Sequence, residues 1–540
     1  MADLAPHESS AVPPADVAPR RQLREKNTDR SLGLYVIVII AVVSSVLVLL
    51  RSTPLFTQVR DTTVALGLPR PITALSEGVA GLEIPPKPDG LEMWTFARNH
   101  GVMYETLLPR INVTRSSDKQ IHINLIAGTA LTQRMLSGFS AGTPIADLIE
   151  TERNMVGQVF SGPLKDVGFV DLTDRMREEG LLDKLNAPSL SPWSKQGRIF
   201  GLPHDVHPVL LAYRADIVEA AGIDVTEIET WDDFVRIMRP LRSDDDGDGK
   251  FDRLPLNLWP TNMMYAEAMM LQAGGGFFAP DGTPTLNHPV NARVIGRLVS
   301  WAGGPDQIAA EAPDFSETGN QLRVQGFVIA QLFPDWMGGV WMQDVPGLAG
   351  KVKLMPLPAW ERGGRRTSVI GGTMLGVTKA AEDFDTAWEL AKELYLDREL
   401  AETLFRETMI VSPVKEFWDE PFYDEPNEFF MDQSVGTLFI DQAPDVPLRA
   451  SSPFASVAGA RMSDAVFAVM AYAEANDLWD ADALAEEAQG HLDHAQAAVM
   501  RQIERNVFVK ADADAAAATD EPNDISEPKG ASDSDPDPVP

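Results

Sequence analysis

From residue 91 onward, apolar positions recur with two alternating periods. Residues 91–97 (LEMWTFA), 121–127 (IHINLIA) and 144–150 (PIADLIE) read as strands, and apolar residues at helical spacing fill 103–108 and 131–139 between them. Strand, helix, strand, helix, strand at this spacing predicts a parallel sheet with crossover helices, an α/β lobe. Ligands of such sheets bind at the carboxyl ends of the strands, where the loops here begin at Arg98, Ala127 and Thr151. TWDDF at 230–234 predicts a helix start, with Thr230 as N-cap and Asp233 near the third helical position. A second lobe is expected to begin after residues 196–214 (QGRIFGLPHDVHPVLLAYR).

One apolar run stands apart. Residues 32–50 (LGLYVIVIIAVVSSVLVLL) carry no charge and are bounded by Arg30 and Arg51, long enough to cross a hydrocarbon core as a helix. Arg20, Arg21, Arg24, Lys26 and Arg30 precede it, which places the N-terminus in the cytoplasm and everything after residue 51 outside. A cleaved signal peptide is the rival reading, but the run exceeds the usual apolar region and no A-x-A-like site follows. The expectation is one uncleaved transmembrane anchor over 31–51, with a disordered cytoplasmic segment at 1–30 and a proline-bearing extracytoplasmic linker at 52–88.

Composition narrows the function. The 540 residues suffice for two large lobes, and a net charge of -33 argues against a nucleic-acid partner, which would need clustered Lys and Arg. With no cysteine there is no disulfide, thiolate metal site, Cys nucleophile or lipid-bearing Cys, so attachment to a membrane must come from the polypeptide itself. Residues 511–540 hold nine acidic residues and one Lys, and read as a disordered acidic tail.

Enzymatic readings fare poorly. GFSAG at 138–142 matches a nucleophile elbow, yet a helical stretch precedes it and a strand follows, the reverse of the required order, so Ser140 is expected to end a helix. A glycoside hydrolase, needing two carboxylates across the scissile bond, and a lectin-like surface protein remain the alternatives.

WTFARN at 94–99, the run 196–214, TWDDF, LFPDW at 332–336, the paired prolines of MPLPAW at 355–360 and GGTMLGVTK at 371–379 together resemble the family 1 extracellular solute-binding proteins of carbohydrate ABC importers. The resemblance runs from about residue 91 to 505 and lies in the order and spacing of these motifs. It implies a two-lobed periplasmic-binding-protein fold, type II-like, with the ligand cleft between lobes and, here, a transmembrane helix ahead of it. Lobe 1 would comprise 89–205 and 366–412, and lobe 2 would comprise 206–365 and 413–510. The implied partners are a mono- or oligosaccharide, permease subunits and, through them, a cytoplasmic ATPase; no cofactor is needed. The missing lipid-bearing Cys, the anchor and the acidic tail depart from the family pattern.

A sugar offers an apolar C–H face and a rim of hydroxyls, so its pocket needs aromatic platforms with polar groups around them, and eleven Trp are ample. By position and resemblance the candidates are Trp94, Arg98 and Asn99 at the exit of the first strand, and Glu150 and Glu152 after the third. His204 and Asp205 stand in the interlobe crossing, Asp335 and Trp336 in FPDW, and Gly371, Gly372 and Thr373 where backbone could approach closely; Trp259 is a further platform candidate. His204, Asp205 and His207 also suggest a metal, but in an extended segment residues three apart point to opposite faces. Finally, Asp244, Asp246, Asp248, Lys250 and Asp252 in SDDDGDGKFDR form the opening of a calcium loop; Pro255 stands where the closing Glu would be.

Overall fold

The computed structural model describes residues 89–506. The expected segments 1–30, 31–51, 52–88 and 511–540 lie outside the described residues; among the described residues no helix is long and apolar enough to cross a membrane.

The first strands along the chain are β1 (Leu91–Thr95), β2 (Ile121–Leu125), β3 (Leu148–Glu152), β4 (Ser194–Lys195), β5 (Arg198–Ile199) and β6 (Leu202–Pro203). They are followed by β7 (Val209–Arg214), β8 (Leu254–Asn257), β9 (Ala309–Ala310), β10 (Val328–Pro334), β11 (Val352–Pro356) and β12 (Thr373–Val377). Ten of the twelve form two sheets, ordered β2-β1-β3-β12-β6 and β11-β7-β10-β8-β9. These are the sheets of lobe 1 and lobe 2.

The expected parallel pairing holds for β1 with β2 and β3, joined by the helices Arg98–Asn112 and Gly128–Ala141. It fails for β12, which returns from lobe 2 and enters antiparallel between β3 and β6. Lobe 2 is likewise mixed, because β7 runs antiparallel to β10 and β11. A strand arriving from the other lobe is not tied to its neighbours by a short right-handed crossover, so nothing forces it parallel.

Several local readings can be compared directly. The helix predicted over 103–108 begins at Arg98, so Arg98 and Asn99 occupy its first turn and not a loop. Thr230 and Asp233 form a reciprocal capping box at the start of Trp231–Met238. Ser140 lies in the last turn of Gly128–Ala141 and donates to the Leu136 carbonyl, 2.6 Å away, ahead of a left-handed Gly142.

β7 and β10 are buried along their whole lengths, as central strands covered on both faces must be. One core of lobe 2 joins Leu211, Leu256, Leu332 and Trp301 to residues of the two C-terminal helices, Ala455–Asn476 and Ala481–Arg505. Lobe 1 centres on Met93, Leu148, Leu375 and Trp388. The chain therefore crosses between lobes three times: from β6 to β7, from β11 to β12, and again after the helix Arg398–Thr408.

The helix Pro289–Ala302 packs so closely on Ala481–Arg505 that a Cβ on Gly296 would lie 2.3 Å from the Ala481 carbonyl oxygen. Gly296→Ala should therefore destabilise by about 1–3 kcal/mol through overpacking. Gly490→Ala in the partner helix, where a Cβ meets nothing within 4 Å, should instead stabilise by about 0.5–1 kcal/mol. Urea unfolding midpoints for the two variants are expected to move in opposite directions.

Candidate functional site

At the carboxyl ends of β1 and β3 a cavity of about 350 Å³ opens between the lobes. Lobe 1 contributes Arg98 and Asn99 from the first turn of their helix, where backbone N–H groups have no intrahelical acceptor, together with the half-buried Phe96. Glu152 reaches the cavity at the end of β3. Its carboxylate caps the helix Arg153–Val159 by accepting from Met155 N at 3.1 Å, and burial raises its pKa. Lobe 2 contributes the half-buried Trp336, one residue past Asp335 at the end of β10.

The crossing between β11 and β12 completes the wall with Gly371, Gly372 and Thr373. Gly371 has φ +96°, and a Cβ there would stand 2.8 Å from Trp336 Nε1. Only glycine fits that backbone and that approach. The indole N–H donates to the Ile370 carbonyl at 3.0 Å, which fixes the ring plane. Trp336 packs against cores of both lobes, so it sits at their junction.

Beneath the cavity lies a chain of buried charges. Asp205 lines the cavity from the first crossing, and His207 is held between it and Asp335. His207 Nδ1 lies 2.7 Å from Asp335 Oδ1, and Nε2 lies 2.6 Å from Asp205 Oδ2, an ion pair off the line of a good hydrogen bond. With a carboxylate at each nitrogen, both carry protons. Burial opposes the charge, but the two carboxylates outweigh it and hold the His207 pKa up at about 9. Burial also opposes ionisation of Asp205, and His207 with His204 overrides it, pulling that carboxyl well below its usual range. Asp335 accepts in addition from Trp336 N at 2.8 Å and, across to the third crossing, from Val411 N at 3.1 Å.

A second buried carboxylate, Glu150, is surrounded by protein donors. Thr95 Oγ1 donates at 2.6 Å and His100 Nδ1 lies 3.0 Å from the same oxygen, while the hydroxyls of Tyr104 and Tyr395 donate to the other, each at 2.7 Å. Burial alone would raise this acid; His100 and the hydrogen bonds hold it at about 2. Its donors come from β1, the helix Arg98–Asn112 and the helix Phe384–Tyr395, so Glu150 ties lobe 1 together.

These geometries correct several expectations. Glu150 and Asp335 are completely buried, and their oxygens are engaged by protein donors and not turned to the cavity. Trp94 packs in the lobe 1 core with Phe169 and Trp193, its N–H donating to Glu92 at 2.8 Å. His204 is buried between the rings of His100, centroids 4.0 Å apart, and Tyr395, 4.7 Å, so it backs the cavity instead of lining it. Trp259 is half-buried in the loop after β8 and does not line the cavity. His207, weighed earlier only as a metal ligand beside His204, lines the cavity; its φ of +55° departs from the extended conformation assumed there. His100 and Arg153 went unnoticed because their importance comes from long-range partners, and Phe96, which lines the cavity, was passed over between Trp94 and Arg98. Arg153 pairs with Glu267 of lobe 2 at 2.7 Å, a direct ion pair between the lobes.

In the acidic loop, oxygens of Asp244, Asp246 and Asp252 come within 4.8 Å of one another, all exposed. Asp248 and Lys250 stand outside this group; the Asp248 carboxylate accepts from Lys250 N at 2.8 Å.

Two α/β lobes crossed three times, with a cavity at their junction, define the class, and the chain belongs to the bacterial extracellular solute-binding protein family, whose pattern matches residues 117–399. Members of this family bind solutes and are not enzymes. The chain is similar to an arabinooligosaccharide-binding protein of Halalkalibacterium halodurans, 26% identical over 65% of this chain and 78% of that protein. It is also similar to a lactose-binding protein of Rhizobium radiobacter, 24% identical over 66% of this chain and 82% of that protein. Among solved structures it resembles the sugar-binding protein MalE of Xanthomonas citri, with TM-score 0.61 and 16% identity, covering 77% of this chain and 99% of that one. A cyclo/maltodextrin-binding protein complexed with maltotetraose gives TM-score 0.58 at 17% identity, covering 78% and 99%.

The raised His207 pKa has a definite sign. Its stabilising contribution is complete below the ordinary value of 6.5 and is lost as pH rises through about 9. Thermal midpoints of the unaltered protein should therefore fall across that window. His207→Gln, which cannot carry the charge, should start lower and run flat; parallel curves would show that the ion pairs contribute nothing.

Proposed function

We propose that this chain is the receptor of an ABC importer that captures a mono- or oligosaccharide in the interlobe cavity and delivers it to a membrane permease. The observation that carries the reading is the half-buried Trp336 facing a cavity rimmed by Arg98, Asn99, Glu152 and Asp205. An indole face accepts the C–H side of a sugar ring, while charged groups at the edge form strong hydrogen bonds with hydroxyls. Relatives that bind an arabinooligosaccharide and lactose support the same ligand class. Gly371, Gly372 and Thr373 bring backbone to the ligand, and Phe96 adds apolar contact. Closure would draw its energy from contacts made to both lobes at once, with Arg153–Glu267 one link between them.

In this reading lobe 1 is built from 89–205 and 366–412 and lobe 2 from 206–365 and 413–510, while residues 31–51 tether the receptor outside the cell membrane by a single span, on the strength of their sequence. Permease and ATPase are separate chains.

Calorimetric titration of the full chain in detergent with arabinose, arabinooligosaccharides, lactose and maltotriose tests the reading. Saturable binding with the sugar recovered intact is expected, weakened at least about thirtyfold by Trp336→Ala. Binding unaffected by that substitution, or cleavage of the sugar, would overturn it.

The acidic loop adds a structural Ca²⁺ to the proposal, held by Asp244, Asp246 and Asp252. Adding millimolar Ca²⁺ should raise Tm by about 2 °C or more, and Asp244→Asn should remove the increment. A Tm indifferent to Ca²⁺ would withdraw the ion.

A further inference from the structure

Beside Trp336 stands an aromatic ring that the cavity wall does not require. Phe315 lies in the loop between β9 and the helix Glu317–Gln325, and its ring is nearly parallel to that of Trp336, 12° between planes with centroids 6.1 Å apart. It is 67% exposed. Its φ is +54°, in the left-handed region that costs a residue with a bulky side chain energy and that glycine or asparagine would occupy more easily.

The strain is imposed by the residues before it. Ala312 exchanges hydrogen bonds with the Asn257 side chain, its N–H donating at 2.8 Å and its carbonyl accepting at 3.2 Å. Arg323 donates to the carbonyls of Ala312 and Pro313 and pairs with Asp314, which also accepts from Tyr265 at 2.6 Å. The loop is thus fixed by buried groups up to Asp314, and the next residue is turned outward. Core packing would have buried the ring, and a lone exposed phenylalanine needs no such anchoring. Strain kept by a rigid surround, at a position whose ring meets Trp336 yet stays mostly exposed, points to a function beyond packing.

One residue borders the surroundings of both aromatics. Val340 lines the main cavity and also a small cleft beneath Phe315, walled by Asp314 and Asn320. From these observations we propose that Phe315 forms an outer subsite which extends the Trp336 platform, so that the ligand is an oligosaccharide whose second ring stacks on Phe315 as the chain leaves the cleft over lobe 2. This inference rests on the saccharide reading above and adds ligand length and the residue that senses it. The preformed loop means that the second ring meets an aromatic face without further ordering of the protein.

A length series read by calorimetry tests it: arabinose, arabinobiose and arabinotriose, with galactose against lactose. The unaltered chain should bind the longer member of each bound series more tightly. Phe315→Ala should lower affinity for the longer members about tenfold and leave the single sugars within about twofold, while Phe315→Trp restores the difference. Phe315→Gly, which relieves the left-handed backbone, should lose the same affinity with an unfolding midpoint at or above that of the parent, separating a ligand contact from a structural one. Equal losses at every length, or no loss at any, would overturn the subsite and leave the receptor intact; no saccharide binding by the unaltered chain would overturn both.

Discussion

Two carboxylates cannot be buried at the meeting point of two lobes unless a cation is buried with them, and His207 is that cation. The imidazolium between them offsets the cost of removing Asp205 and Asp335 from water, helped by His204 at the first and by the N–H groups of Trp336 and Val411 at the second. That requirement joins distant parts of the chain: Asp205 and His207 from the first crossing, Asp335 from the end of β10, and Val411 from the third crossing through its N–H. Apolar residues of similar volume could fill the space at no loss of stability, but they would not fix one arrangement of the crossings. A charge triad has one good geometry, and losing a partner leaves an uncompensated charge.

The cavity floor follows from that arrangement. Asp335 accepts the N–H of Trp336, the indole N–H is held by Ile370, and the wall opposite the ring nitrogen must be Gly371 because nothing larger fits. Trp336 contacts the cores of both lobes, so a change in their relative position is felt at its ring. Glu150 plays the corresponding role inside lobe 1, where its donors fix the position of the helix whose first turn carries Arg98 and Asn99. Glu150 and Asp335, both completely buried, therefore do not face the cavity; they hold in place groups that do.

Much of the fold could be read from local pattern. Period-two runs gave β1 and β2, the TWDDF signature gave a capping box, and the ordered motifs gave a cavity containing Trp336, Asp205 and Gly371. What could not be read depended on partners far away in sequence. The donors to Glu150 come from positions 95, 100, 104 and 395, and no local signal announces that they converge. FPDW correctly drew attention to Asp335, but a carboxylate next to a tryptophan reads as a sugar contact until His207 and Val411 are seen to occupy it. The antiparallel entry of β12 was hidden for the same reason, since a strand's direction is set by the route of the chain and not by its own residues. Phe315 carried no pattern at all; only its backbone angle and its neighbour's ring plane distinguish it.

The threefold crossing also orders events during synthesis. β12, which starts at residue 373, lies between β3 and β6, so the lobe 1 sheet has an empty central place until more than half the chain has emerged. The helices Ala455–Asn476 and Ala481–Arg505 supply core residues to lobe 2, leaving Leu211 and Leu332 without their full cover until nearly the end. Pairings this distant delay folding, because the entropy of loop closure must be met before any contact forms. Neither lobe can be completed until its last segment has been synthesised. A chain built in this way stays incompletely folded during most of its synthesis, which is the condition in which an unfolded polypeptide can be threaded across a membrane.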